Sequence, residues 1–139
     1  MSAQLSRLGQ QAARPPVRFV KTIGDAVMLV SPQASPLVAA MLSLVEAVDS
    51  ADELPSLRAG VAVGQAVNRW GDWYGTPVNL ASRVTERARP GAVLATREVR
   101  EESSEDFSWS RAGSHSFKNV TGRVSLHRAR IRGARDPSA

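Results

Sequence analysis

The chain has no cysteine, which excludes disulfides, thiolate zinc sites and cysteine nucleophiles together. That absence fits a reducing, cytoplasmic setting. Lysine is nearly as scarce: Lys21 and Lys118 stand against sixteen arginines, so the use of an ammonium at either place is not routine. No acidic residue occurs between Met1 and Pro16. No apolar run reaches the roughly 20 residues that a membrane-spanning helix needs. The longest, Pro36 to Val48, is interrupted by Ser43 and Glu46. Nor does the N-terminus place an apolar signal core behind a basic start.

What is present is the balance of a folded domain. Apolar residues make up 42% and charged residues 22% of 139 residues, enough for one core and too few for two. The net charge is +5, and the stretch from Arg128 through Arg135 and Asp136 carries +3 of it. The body is therefore near neutral. The basic balance reports a solvated tail, expected at 131–139, rather than a nucleic-acid surface.

Leu5, Leu8 and Ala12 recur at helical spacing, and Pro15-Pro16 ends that helix. This gives an opening segment, 1–16, of helix and linker. Val17 to Lys21 alternates as a strand, and Ala26 to Val30 reads as a second strand, buried on both faces. Gly24-Asp25 between them suits a tight hairpin. Ser35 is the expected cap of a helix with Pro36 at its start and Leu37, Met41, Leu44, Val45 and Val48 on one face. Leu57 to Gly64 reads as a strand in which Gly60 and Gly64 indicate close approach by another backbone. Asn68 to Gly75 reads as a loop or short hairpin, Val78 to Arg89 as a helix behind Pro77. A strand (Ala92 to Ala95) and a short helix (Thr96 to Ser103) follow. Peripheral strands are expected at Phe107–Ser110, Ser114–Phe117 and Val124–Ala129. The order predicts an α+β sandwich, a mostly antiparallel sheet with helices packed on it, over residues 17–130.

Two segments carry candidate chemistry. In Lys21-Thr22-Ile23-Gly24-Asp25 a carboxylate sits on a hairpin tip, rigid and open to an oxygen-liking cation such as Mg²⁺ or Mn²⁺. Taken alone, it is more often a plain turn aspartate. In the second segment, Gly71 to Arg83, Asn79 and Arg83 lie four apart on one helix face. An amide and a guanidinium there can grip a ribose oxygen and a phosphate, although an exposed polar stripe looks the same.

Together the segments resemble class III adenylyl and guanylyl cyclase catalytic domains, in particular mycobacterium-like adenylate cyclases. The hairpin run Lys21-Thr22-Ile23-Gly24-Asp25-Ala26 and the helix run Gly75-Thr76-Pro77-Val78-Asn79-Leu80-Ala81-Ser82-Arg83 both match the family's wording, in the right order. Arg58 to Gly64 and Phe117-Lys118-Asn119-Val120 to Leu126 also look like the family's. The resemblance spans about residues 17 to 129.

The resemblance implies a ferredoxin-like cyclase sandwich that works as a homodimer, or paired with another cyclase domain, converting ATP to cyclic AMP and pyrophosphate. It implies Asp25 as a metal ligand in a site of two Mg²⁺ or Mn²⁺ ions. It implies Lys21 and Asp72 as readers of adenine, where guanylyl cyclases usually carry a glutamate and a small or thiol residue. Asn79 would orient the ribose and Arg83 would stabilise charge on the α-phosphate. Lys118, and more remotely Arg69, would reach the terminal phosphates. Trp70, Trp73 and Tyr74 would serve packing or dimer contacts. The family's opening strand, with its first metal aspartate, has no counterpart before the hairpin. The chain is therefore expected to be an N-terminally shortened domain, catalytically weak alone or acting as a partner to a complete cyclase domain.

Overall fold

The structure is a computed structural model that describes residues 2–51 and 53–133. The expected tail from 134 onward, with Arg135 and Asp136, lies outside the described residues. In chain order the elements are α1 (Ser2–Ala12), β1 (Arg18–Ile23), β2 (Ala26–Val30), α2 (Ala34–Asp49), β3 (Ala59–Val61), β4 (Val67–Arg69), β5 (Asp72–Tyr74), α3 (Thr76–Arg87), β6 (Val93–Thr96), α4 (Arg97–Ser103), β7 (Phe107–Ser116) and β8 (Arg123–Ile131).

The strands form three hydrogen-bonded sets rather than one sheet. A four-stranded sheet runs β3-β6-β8-β7, with β3 parallel to β6 and the other pairs antiparallel. The hairpins β1-β2 and β4-β5 stand apart from it. Side-chain packing ties the first hairpin to the body. Gly9 of α1 is buried against Phe19 and Val27, and Leu8, Val27 and Leu29 pack on the core formed by Leu5 with the α2 residues Val38, Met41, Leu44, Val45 and Val48. Each such Val or Leu contributes about 1.5–3 kcal/mol by leaving water.

Strand alternation sorts the four-stranded sheet into two faces. Val93, Ala95 and Ala129 face α2 and α4. Leu94 and Leu126 face α3 through Val84 and Ala88. That helix approaches β3 so closely that a Cβ on Gly60 would lie 2.4 Å from the Thr85 nitrogen and 2.6 Å from the Ala81 oxygen. Gly60 thus meets a backbone as expected. Gly64 instead faces the Pro77 ring.

Four local expectations are corrected. Strand β2 is only partly buried along its length, because one face packs on α1 and α2 while Met28 and Val30 lie on the other. Helix α2 begins after Gln33, which makes no side-chain capping bond. Ser35 lies inside the helix and donates to the Asp106 carboxylate at 2.5 Å. The two strands expected between Phe107 and Phe117 are one, β7, with an extra residue between Arg111 and Ser114, where Gly113 takes φ +94°. Arg128 and Arg130 belong to β8 rather than to a free tail. No described helix is long and apolar enough to cross a membrane.

Candidate active site

Lys21 reaches the site through an irregularity in β1. Phe19 pairs with Leu29, but Lys21 pairs with Met28, so Val20 is an extra residue in the ladder. Strict alternation would put Lys21 on the same face as Phe19, against α1. The bulge turns Lys21 over to the outer face instead. Three residues later Gly24, at φ +58°, opens the two-residue turn to Asp25. Asp25 is exposed at the tip.

On the outer face Lys21 meets the second hairpin. Its Nζ lies 2.5 Å from Asp72 Oδ2, with the two side chains 38% and 24% exposed. The backbone N–H of Trp73 donates to the other oxygen, Oδ1, at 2.8 Å. Both bonds favour the carboxylate, the Lys21 bond most, and hold Asp72 below the ordinary aspartate value of 3.8. A carboxyl depressed by folding stabilises the fold above its ordinary value and loses that contribution as pH falls through its folded value. Asp72→Asn should therefore melt below the wild type near neutrality, and the gap should close in a thermal-melt series as pH falls below the ordinary aspartate value of 3.8 and through the lower value that folding sets.

The β4-β5 hairpin that presents Asp72 turns at Trp70 and Gly71, both at positive φ (52° and 80°). The Trp70 side chain is 95% exposed and so does not serve packing. Trp73 is half-buried and Tyr74 exposed.

Helix α3 starts immediately after this hairpin. Gly75, at φ +132°, caps it, and its carbonyl accepts the Asn79 N–H at 3.1 Å. The Leu80 and Val84 stripe turns to the core, leaving Asn79 and Arg83 on the open side. They line a groove of about 270 Å³ with Thr76, Glu86, Lys118 and Asn119. Lys118 arrives on a tight turn in which the Val120 N–H donates to the Phe117 carbonyl at 3.1 Å. Asn119 takes φ +66° there, a conformation asparagine tolerates. Phe117 is buried, with the Arg87 guanidinium 5.9 Å from its ring centre. The turn is thus anchored to α3 itself.

The sequence-predicted residues therefore form two groups: Lys21 with Asp72, and Asn79 with Arg83 and Lys118. Arg69 does not line the groove. Thr76 and Asn119 line it without having been singled out; their place inside the two family-like runs was the available signal. Among the described residues no three His, Cys, Asp or Glu side chains converge to hold a metal. Asp25 alone does not make a two-cation site.

The family model for the adenylate and guanylate cyclase catalytic domain matches residues 2–129. A pH-sensitive adenylate cyclase of Mycobacterium tuberculosis is 51% identical over 96% of this chain and 35% of its own length. An adenylate cyclase of Streptomyces griseus is 44% identical over 55% of this chain and 19% of its own length. The chain thus spans about a third or less of these relatives. A solved adenylate cyclase structure from Trypanosoma brucei superposes with a TM-score of 0.80 at 18% identity, covering 97% of this chain and 79% of that one. The last is a likeness of fold, and the α+β sandwich agrees with it. From the match over nearly its whole length, this chain belongs to the adenylate and guanylate cyclase catalytic domain family.

Proposed function

We propose that the chain is an adenylate cyclase unit that converts ATP to 3′,5′-cyclic AMP and pyrophosphate at an interface with a second cyclase domain, in the cytoplasm. The observation that carries the adenine reading is the Lys21–Asp72 pair. An ammonium donates to a ring nitrogen and a carboxylate accepts from an exocyclic amine, the pattern of adenine's Watson–Crick edge, where guanine instead carries a carbonyl and a ring N–H. The pairing favours the Asp72 carboxylate and positions both groups before the base arrives.

Asn79 would hold the ribose, and Arg83 and Lys118 the phosphates, from one groove. The 3′-oxygen attacks the α-phosphorus in line, the bond to the bridging oxygen of pyrophosphate breaks, and the 3′-hydroxyl proton leaves to solvent. Arg83 meets the negative charge growing on the α-phosphate, where a preplaced donor acts most strongly. Asp25 supplies one carboxylate to a divalent cation, Mg²⁺ or Mn²⁺, whose chemistry is to offset triphosphate charge.

A second reading is favoured by Asp25 standing at its tip with no metal cluster among the described residues. In it, this chain gives its base and phosphate groups to a site whose metal carboxylates come from another cyclase domain. Cyclic nucleotide formation from ATP and from GTP with Mn²⁺ tests both, in the chain alone and mixed with a complete cyclase domain. ATP should be preferred about 10²-fold or more, and Lys21→Glu should erode that preference. Turnover of the chain alone, lost in Asp25→Ala, selects the first reading. Turnover only on mixing selects the second, and none in either arrangement sinks both.

A further inference from the structure

The face of the four-stranded sheet away from α3 carries a second concave site. Arg97 and Arg100 of α4, Arg111 of β7 and His127 of β8 line a cavity of about 300 Å³ with Trp109 and Ser125. Arg111 and His127 are register partners across the β7-β8 ladder. His127 alternates with Leu126, which faces α3, so the cavity and the Asn79–Arg83 groove lie on opposite faces of the sheet.

The donor balance of this cavity is one-sided. His127 is 6% exposed, and its Nε2 lies 3.1 Å from the Ser125 hydroxyl. Arg97 is tied to Glu101 at 3.2 Å. Arg100 and Arg111 have no hydrogen bond or ion pair among the described residues. Trp109 contributes to the lining, while its indole N–H is buried in the protein without an acceptor. Among the described residues Glu98 raises the His127 value, while Arg100, Arg111 and Arg97 lower it. Burial, more than any of these charges, holds His127 below its ordinary value.

We infer that this cavity binds a phosphate group, either inorganic phosphate or the phosphate of a small ester. Two guanidinium forks without partners match the oxygens of a phosphate in geometry and charge. The volume lies at the small end of ligand cavities, which admits a phosphomonoester and not a nucleic-acid strand. The site is independent of the cyclase reading, because it shares no residue with the Lys21–Asp72 pair or the α3 groove.

His127 and His115 are the only histidines, so proton NMR of the imidazole signals follows the site directly. The full chain is titrated with inorganic phosphate, and separately with glycerol 3-phosphate, against chloride at matched ionic strength. Saturable movement of the His127 signal without the His115 signal is expected. The tighter of the two probes tells a free phosphate from an ester. Arg100→Gln with Arg111→Gln should weaken binding by about ten-fold or more, while Arg89→Gln, a charge loss elsewhere, should not. If the double variant fails to melt cooperatively, the exposed Arg111→Gln alone takes its place. A His127 signal unmoved by both probes overturns the proposal. So does binding that persists unchanged in the arginine variants, or a signal that moves only with duplex DNA.

Discussion

Arg83→Ala should lower cyclase turnover about 10²–10³-fold, the usual effect of removing one donor aimed at developing charge. The effect belongs in kcat, with KM changing little, if Arg83 acts on charge that appears only as the bond to pyrophosphate breaks. Stability should stay within about 0.5 kcal/mol, because the Arg83 guanidinium makes no hydrogen bond or ion pair among the described residues and the Leu80–Val84 stripe carries the packing of α3. The measurement is steady-state cyclic AMP formation, in the chain alone or in the mixed sample with a complete cyclase domain, alongside urea unfolding. An equal rise in KM with kcat intact would make Arg83 a ground-state phosphate contact.

Gly60→Ala should cost stability on the scale of overpacking, about 1–3 kcal/mol, and should impair turnover as well. Its new methyl would meet the Thr85 nitrogen at 2.4 Å, the Ala81 oxygen at 2.6 Å and the Thr85 hydroxyl at 2.7 Å. The first two are helix backbone and have no rotamer to yield, so α3 must lift from β3. The helix carries Asn79 and Arg83 with it. Urea midpoints give the first effect and cyclic AMP formation the second. Adding Thr85→Ala should not rescue either one, since the nearest atom remains. Full rescue would mean that only the hydroxyl was in the way.

Much of this site was legible because its signals are local. Gly24-Asp25 dictates a hairpin tip, Gly75 and Pro77 mark a helix start, and Asn79 and Arg83 share a face by spacing alone. Gly60 advertised a close backbone by having no side chain. What was not legible depends on distant partners or on a break in periodicity. Lys21 and Asp72 lie 51 residues apart, and no spacing rule pairs them; family likeness had to. The bulge at Val20 leaves no mark in a run of strand-forming residues, yet it decides which face Lys21 takes. Ser35 had the chemistry of a cap, but Asp106, in the turn between α4 and β7, claims its hydroxyl. The arginine cavity was missed because Arg97, Arg100, Arg111 and His127 come from three elements and each alone reads as an ordinary surface or strand residue.

The contact between Gly60 and α3 also sets how motion would reach the substrate. It touches the helix at Ala81 and Thr85, on either side of Arg83, and so acts as a fulcrum under that residue. Asn79 lies about 6 Å along the axis from it, at 1.5 Å per residue. A tilt of about 10° therefore shifts the helix axis at Asn79 by roughly 1 Å and at Arg83 far less, enough to loosen a positioned group considerably. Any partner that leans on the N-terminal end of α3, next to the exposed β4-β5 hairpin, would thus displace the helix backbone more at Asn79 than at Arg83.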